Sequence, residues 1–210
     1  MPRFDLAFAN DSRAAVEIVR AAEVVRIRCA MAAKQLTLPR LEAMYELAYL
    51  RAFIAWELCL ESVFYRSLLG YASAAGGCEQ LVAGKYFRSI DAAGKVVAPR
   101  GYSLWHNPHD VIGRCATYIR SGSPRCPAIQ EGVIRSSVSR IASFSAIRHR
   151  IAHGQHDAKV KFDAATNALH GRTYPASRPG RFLRDINPSS GSRWLESIVL
   201  ELGGLAAQIV

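Results

Sequence analysis

What this chain lacks narrows it first. Its longest uncharged run, "SLLGYASAAGGC" (67–78), is glycine-broken and 12 residues long, well short of the roughly 20 apolar residues a membrane-spanning helix needs. The amino terminus, "MPRFDLAFAND", has no continuous apolar segment and carries an acid at position 5, unlike a secretory signal. A cytoplasmic protein with no membrane partner is therefore expected. The five cysteines (29, 59, 78, 115 and 126) contain no CxxC pair, so reduced, mostly buried thiols are expected rather than a disulfide framework. No glycine loop of the P-loop or dinucleotide-binding type is present, which argues against ATP-driven or redox chemistry.

Acids are scarce as well. The chain has 17 Asp and Glu against 27 Lys and Arg, a formal net charge of +10, and 22 of those bases are Arg. Such a balance favours an anionic partner, nucleic acid first, although an arginine-rich composition also follows from a GC-rich genome. One arrangement could suggest a metal: His106 and His109 in "HNPH", then Cys115 and Cys126. Zinc ligands usually come as two tight pairs, and these cysteines are far apart. Neither a metal nor a cofactor is expected.

What is there is ordinary for a globular protein: 210 residues, half of them hydrophobic, enough for one domain with a proper core. The sequence reads as a single domain over 1–210, all-α, with about five helices. The first spans about 12–36, with Asp11 and Ser12 as candidate caps. The second spans about 40–74, with Pro39 suiting its first turn, and is apolar nearly all round, as a central bundle helix should be. A short third helix covers "NPHDVIGRCATYIRSG" and stops before "SPRCP". The fourth starts near Ala128, a fifth covers 157–171, and "SRWLESIVLELGGLAAQIV" closes the bundle. Residues 76–108 read as an insertion, a small loop or β-hairpin around "DAAGK". Residues 172–193, with arginines 172, 178, 181, 184 and 193, read as a basic, solvated loop.

Charges on the second helix are not scattered. Glu42, Glu46, Glu57 and Glu61 fall within an arc of about 100°. Near the helix start, Glu42 and Glu46 read as a solvated stripe. Glu57 and Glu61 lie deeper, in "IAWELCLESVF", where carboxylates require partners.

The stretch "SAIRHRIAHGQ" (145–155) is the most unusual. Taken as one helix from Ile134, the residues Val138, Ile141, Ser145, Arg148 and Ala152 fall within about 40° of it. Arg148 thus sits where Leu or Ile would be ordinary. A guanidinium there needs a carboxylate or a phosphate, and Glu57 and Glu61 are candidate partners. His149 and His153 follow at i and i+4 on one flank, near a helix end that Gly154 should close. The helix dipole there favours imidazolium. Arg150 should face solvent. An imidazole titrating near neutrality beside a fixed cation suits phosphodiester cleavage, the one taking a ribose 2′-hydroxyl proton and the other holding charge on phosphate. One histidine at a helix end is more often a dipole cap, and a buried Arg–Glu pair can be purely architectural.

"RHRIAH" resembles the R-x4-H signature of the HEPN superfamily, with "IAHG" a familiar ending, and "AFIAWELCLESVF" resembles the second helix of bacterial stand-alone HEPN proteins. That resemblance implies an all-α bundle that dimerises across the motif helix, and a metal-independent endoribonuclease leaving 2′,3′-cyclic phosphates, used as a toxin or in antiphage defence. It implies that Arg148 binds phosphate, that His153 is the acid/base group with His149 in the polar second position, and that Glu57 or Glu61 orients Arg148. Arg150, His156, Arg178, Arg181 and Arg184 are candidate RNA contacts. The implied partners are RNA, a second copy of the chain, and an antitoxin or other regulatory protein. The competing reading is a non-catalytic HEPN-like module that binds RNA or protein and keeps Arg148 as architecture.

Overall fold

Helix-forming sequence begins earlier than the first cap signal suggests. In the computed structural model, which describes residues 2–73, 76–99, 101, 103–120 and 129–210, the first helix α1 spans Phe4–Arg28. Asp5 in its first turn and Arg26 and Arg28 in its last complement the helix dipole. Ser12 does not cap: it is buried inside α1, its hydroxyl donating to Ala9 O at 3.2 Å. Cys29 breaks the helix in an extended conformation, and its sulfur accepts the Ala32 N–H to cap α2 (Ala30–Gln35).

The long helix α3 spans Leu38–Leu68. It stops short of the expected residue 74 because Gly70 adopts a left-handed φ of +81°. There the Gly70 and Tyr71 N–H groups turn back onto the Ser67 and Arg66 carbonyls, a glycine-dependent helix stop.

The expected hairpin around "DAAGK" is instead a helix, α4 (Ile90–Val97). Ser89 caps it by accepting the Ala92 N–H at 3.1 Å, with Asp91 in the first turn. These local signals outweigh the β-leaning residues on either side. Asn107 caps α5 (Pro108–Tyr118), whose first residue is proline. The expected fourth helix is two, α6 (Ile129–Ser136) and α7 (Val138–Ala152); the "SPRCP" break and Ala128 lie outside the described residues. Next comes α8 (His156–His170), closed by Gly171 at φ +71°. The expected loop 172–193 contains a 3-10 turn (Pro175–Ser177) and α9 (Pro179–Arg184). The last helix, α10, is Trp194–Ile209. The protein is all-α, but the described residues hold ten α-helices rather than about five, and no strand beyond two isolated bridges.

The chain forms two compact units. One comprises Met1–Phe8, Trp56–Ile141 and Gly203–Val210. Its core is aromatic: Phe64 packs against Trp105 (5.4 Å between centroids) and edge-on to Tyr118, while Arg114 lies 4.3 Å over the Trp105 ring. Here α5 packs on α6. Buried Gln130 bonds the Leu60 carbonyl at 2.9 Å, satisfying a polar group the core would otherwise penalise. The second unit comprises Ala9–Ala55 and Ala142–Leu202. Tyr49, buried, donates to the Phe144 carbonyl at 2.7 Å. Around Phe182 gather Trp194 (5.1 Å, stacked), Tyr174 (5.4 Å) and Phe162 (6.3 Å).

No helix among the described residues is long and apolar enough to cross a membrane.

Candidate active site

Helix α7 delivers the arginine–histidine stretch. The chain breaks at Ser137, whose N–H bonds the Ile134 carbonyl three residues back. From there Ile141, Phe144 and Ile147 form the buried stripe of α7. Arg148 follows on this side, half-buried, with its Nε out of solvent. Ser145 is half-buried and Ala152 exposed, so the apolar face is centred nearer Phe144 than expected.

His149 is half-buried in the last turn and His153 is exposed just past it. Their rings lie 4.7 Å apart, tilted by 54°. The helix ends here as expected, although Gly154 is not in the left-handed conformation. The helix-end dipole favours a charged His149, yet the shift found is the opposite. Burial first, then the positive charges of His153, Lys161 and Arg148, push its imidazole below the ordinary 6.5, with Asp157 opposing. Desolvation outweighs the helix-end dipole because the ring is half covered. His156 is exposed at the start of α8. Arg150 does not face free solvent: it is half-buried, its Nε donating to the Ser177 carbonyl at 3.2 Å.

Glu57 and Glu61 are half-buried, on the part of α3 that belongs to the first unit. The acids read as a solvated stripe are structural instead. Glu42 is buried and ion-paired with Arg178, and Glu46 accepts the Gly180 N–H at 2.8 Å. The basic segment is thereby fastened to α3 rather than left in solvent. Arg184 bonds Glu23 at 3.0 Å and Arg193 bonds the same carboxylate at 2.8 Å. Arg181 is exposed and has no side-chain partner among the described residues.

His170, Tyr174 and Asp185, to which the sequence assigned no role, converge on the same segment. The Tyr174 hydroxyl lies 2.7 Å from both His170 Nδ1 and Asp185 Oδ2, and Asp185 is ion-paired with Arg172. Trp194 Nε1 donates to His170 Nδ1 at 3.1 Å. Burial alone would raise Asp185, but hydrogen bonds from Tyr174 and Arg172 leave it below the ordinary range. Tyr174 is pushed up to about 12, by burial and by its bond to that carboxylate. The alternating polar residues of "HGRTY" (170–174) were the available signal; their partners lie too far along the chain to be inferred from spacing.

Cys115, one member of the weighed metal arrangement, is buried with its thiol near Gln130, and Cys126 lies outside the described residues. Among the described residues no three His, Cys, Asp or Glu side chains form a metal-binding group. No protein-family model, curated protein or solved structure matches the chain.

Proposed function

We propose that the protein is a metal-independent endoribonuclease of HEPN type, acting as a homodimer in the manner of toxin or antiphage ribonucleases. The observation that carries the reading is the pair of imidazoles 4.7 Å apart directly after Arg148. Two imidazoles this close resist holding two extra protons at once, which suits a division of labour between a general base and a general acid. His149, whose imidazole burial and neighbouring charge hold below the ordinary range, takes the proton of a ribose 2′-hydroxyl. The 2′-oxygen forms a bond to phosphorus, the bond to the 5′-oxygen breaks, and His153 supplies that leaving oxygen with a proton. Arg148 holds the charge that builds on the phosphoryl oxygens. The products are a 2′,3′-cyclic phosphate and a 5′-hydroxyl end. The net charge of +10 supports an RNA substrate through phosphate neutralisation.

The test is incubation of purified protein with a mixed RNA pool, tRNA included, in EDTA. Cleavage is expected to survive chelation and leave cyclic phosphate ends. His153→Ala and Arg148→Ala are expected to lower the rate by about 100-fold or more with unchanged melting curves. A wild-type protein that neither cleaves nor binds RNA, or a His153→Ala variant as active as wild type, overturns the proposal. If Arg148→Ala collapses the fold and His153→Ala changes nothing, the non-catalytic interaction module is the better reading.

A further inference from the structure

We infer that a cleft lined by Arg172, Arg181, Arg184, Asp185 and Arg193 is a binding site for a phosphate monoester. Its volume is about 240 Å³. That suits one phosphoryl group and part of what it is attached to. The inference uses none of Arg148, His149 and His153, so it stands whether or not the protein cleaves RNA.

Charge is the first argument. Four guanidiniums line the cleft, with Asp185 on its wall and Glu23 bonded to Arg184 and Arg193. Four cations less two carboxylates leave +2, which matches a phosphate dianion. Both carboxylates are already engaged, Glu23 by Arg184 and Arg193, Asp185 by Arg172 and Tyr174. Cations held this close repel one another until an anion joins them.

Donor supply is the second. A guanidinium has five N–H groups. Arg184 uses Nε on Glu23, while Arg193 uses one terminal nitrogen on Glu23 and the other on the Arg184 carbonyl. Arg172 bonds Asp185 through one terminal nitrogen. Arg181 has no side-chain partner among the described residues. Unused donors therefore remain on every arginine of the wall, in the forked geometry that matches phosphate oxygens.

The frame is the third. The Asp185 N–H bonds the Arg181 and Phe182 carbonyls, the Trp194 N–H bonds the Asp185 carbonyl at 2.9 Å, and Ile186 bridges Arg193. Beneath them Phe182 stacks on Trp194. The backbone that carries Arg181, Arg184 and Arg193 is thereby fixed, so ordering on binding falls mainly on side chains, that of Arg181 first.

The experiment compares thermal melts of the full chain in sodium phosphate and in sodium chloride at matched ionic strength and pH 7.5, with calorimetric titration of inorganic phosphate. Phosphate is expected to raise the melting temperature saturably above chloride. Arg181→Gln, which breaks no ion pair, is expected to fold normally and bind phosphate about tenfold more weakly. Arg172→Gln, which also takes a partner from Asp185, serves as a second variant and is expected to weaken phosphate binding at least as much. Two competition arms separate the sources. AMP against adenosine tests a free nucleotide; a 5′-phosphorylated against a 5′-hydroxyl oligoribonucleotide tests an RNA end. Either phosphate-dependent competition supports the site and assigns its source. No stabilisation beyond chloride, or an Arg181→Gln response equal to wild type, overturns it.

Discussion

Glu79 shows what one buried carboxyl does to the pH response of this protein. It is buried, and its Oε1 accepts the Ile129 N–H at 2.6 Å. Burial lifts it to about 7, the Ile129 bond opposes, and Glu131 adds repulsion. The folded state therefore holds a proton that the unfolded chain releases near 4.5. Its contribution to stability is full below that value and is lost as pH rises through about 7. Glu79→Gln keeps an oxygen to accept the Ile129 bond and removes the charge. It is expected to raise stability by about 1–2 kcal/mol at pH 8 and to change little at pH 4, read from urea midpoints at both. An equal effect at the two pH values would show that charge is not the cause. His149 has the opposite sign. Its lowered pKa means stability present above 6.5 and lost as pH falls through the lowered value. Neither shift was visible in sequence, because desolvation depends on what the fold brings around a side chain.

At the scale of elements, α9 is the instructive case. "RPGR" reads as loop, since Pro and Gly are poor inside helices. The helix forms because α3 receives it: Arg178 pairs with Glu42, and Glu46 accepts the Gly180 N–H. A Cβ built at Gly180 would collide with the Glu42 carbonyl, so the backbones touch where a side chain would stand. Gly180→Ala is expected to cost about 1–3 kcal/mol, seen as a lowered melting temperature, and to reduce the phosphate response of the neighbouring cleft. A variant as stable as wild type would mean the segment shifts without penalty. Helices with local signals were more legible. α3 with Pro39 in its first turn and the Gly171 stop of α8 follow from residue types at fixed positions. The Ser89 cap of α4 is as strong a local signal, but the β-leaning residues beside it point the other way. On α7, the Arg148–His153 spacing could be read directly, but the Arg150 bond to Ser177 could not, because it joins residues in different elements.

For the whole molecule, burial sorts the thiols in a way that composition does not. Cys59 and Cys115 are buried and pushed up to about 12 by desolvation, whereas Cys29 and Cys78 are exposed. Iodoacetamide at pH 8 is expected to label Cys29 and Cys78 within minutes and to reach Cys59 and Cys115 only in denaturant, as read by peptide mass mapping. Rapid native labelling of Cys59 or Cys115 would contradict the packing described for the first unit. The expectation of mostly buried thiols was thus half right among the described cysteines.

By itself the sequence determined the all-α character, the basic balance, and the order arginine, histidine, histidine at a helix end. These rest on periodicity, caps and residue types that act within a few positions of one another. Only the tertiary structure decided where the charges go. Glu23 and Glu42 meet arginines, and Glu46 a backbone N–H, more than a hundred positions away, and no local pattern can specify a pairing made across that separation. For the same reason the "basic loop" became a fastened segment, with Arg181 left without a side-chain partner among the described residues. Charge pairing and desolvation are set by which surfaces the fold brings together, and that depends on the packing of the whole chain.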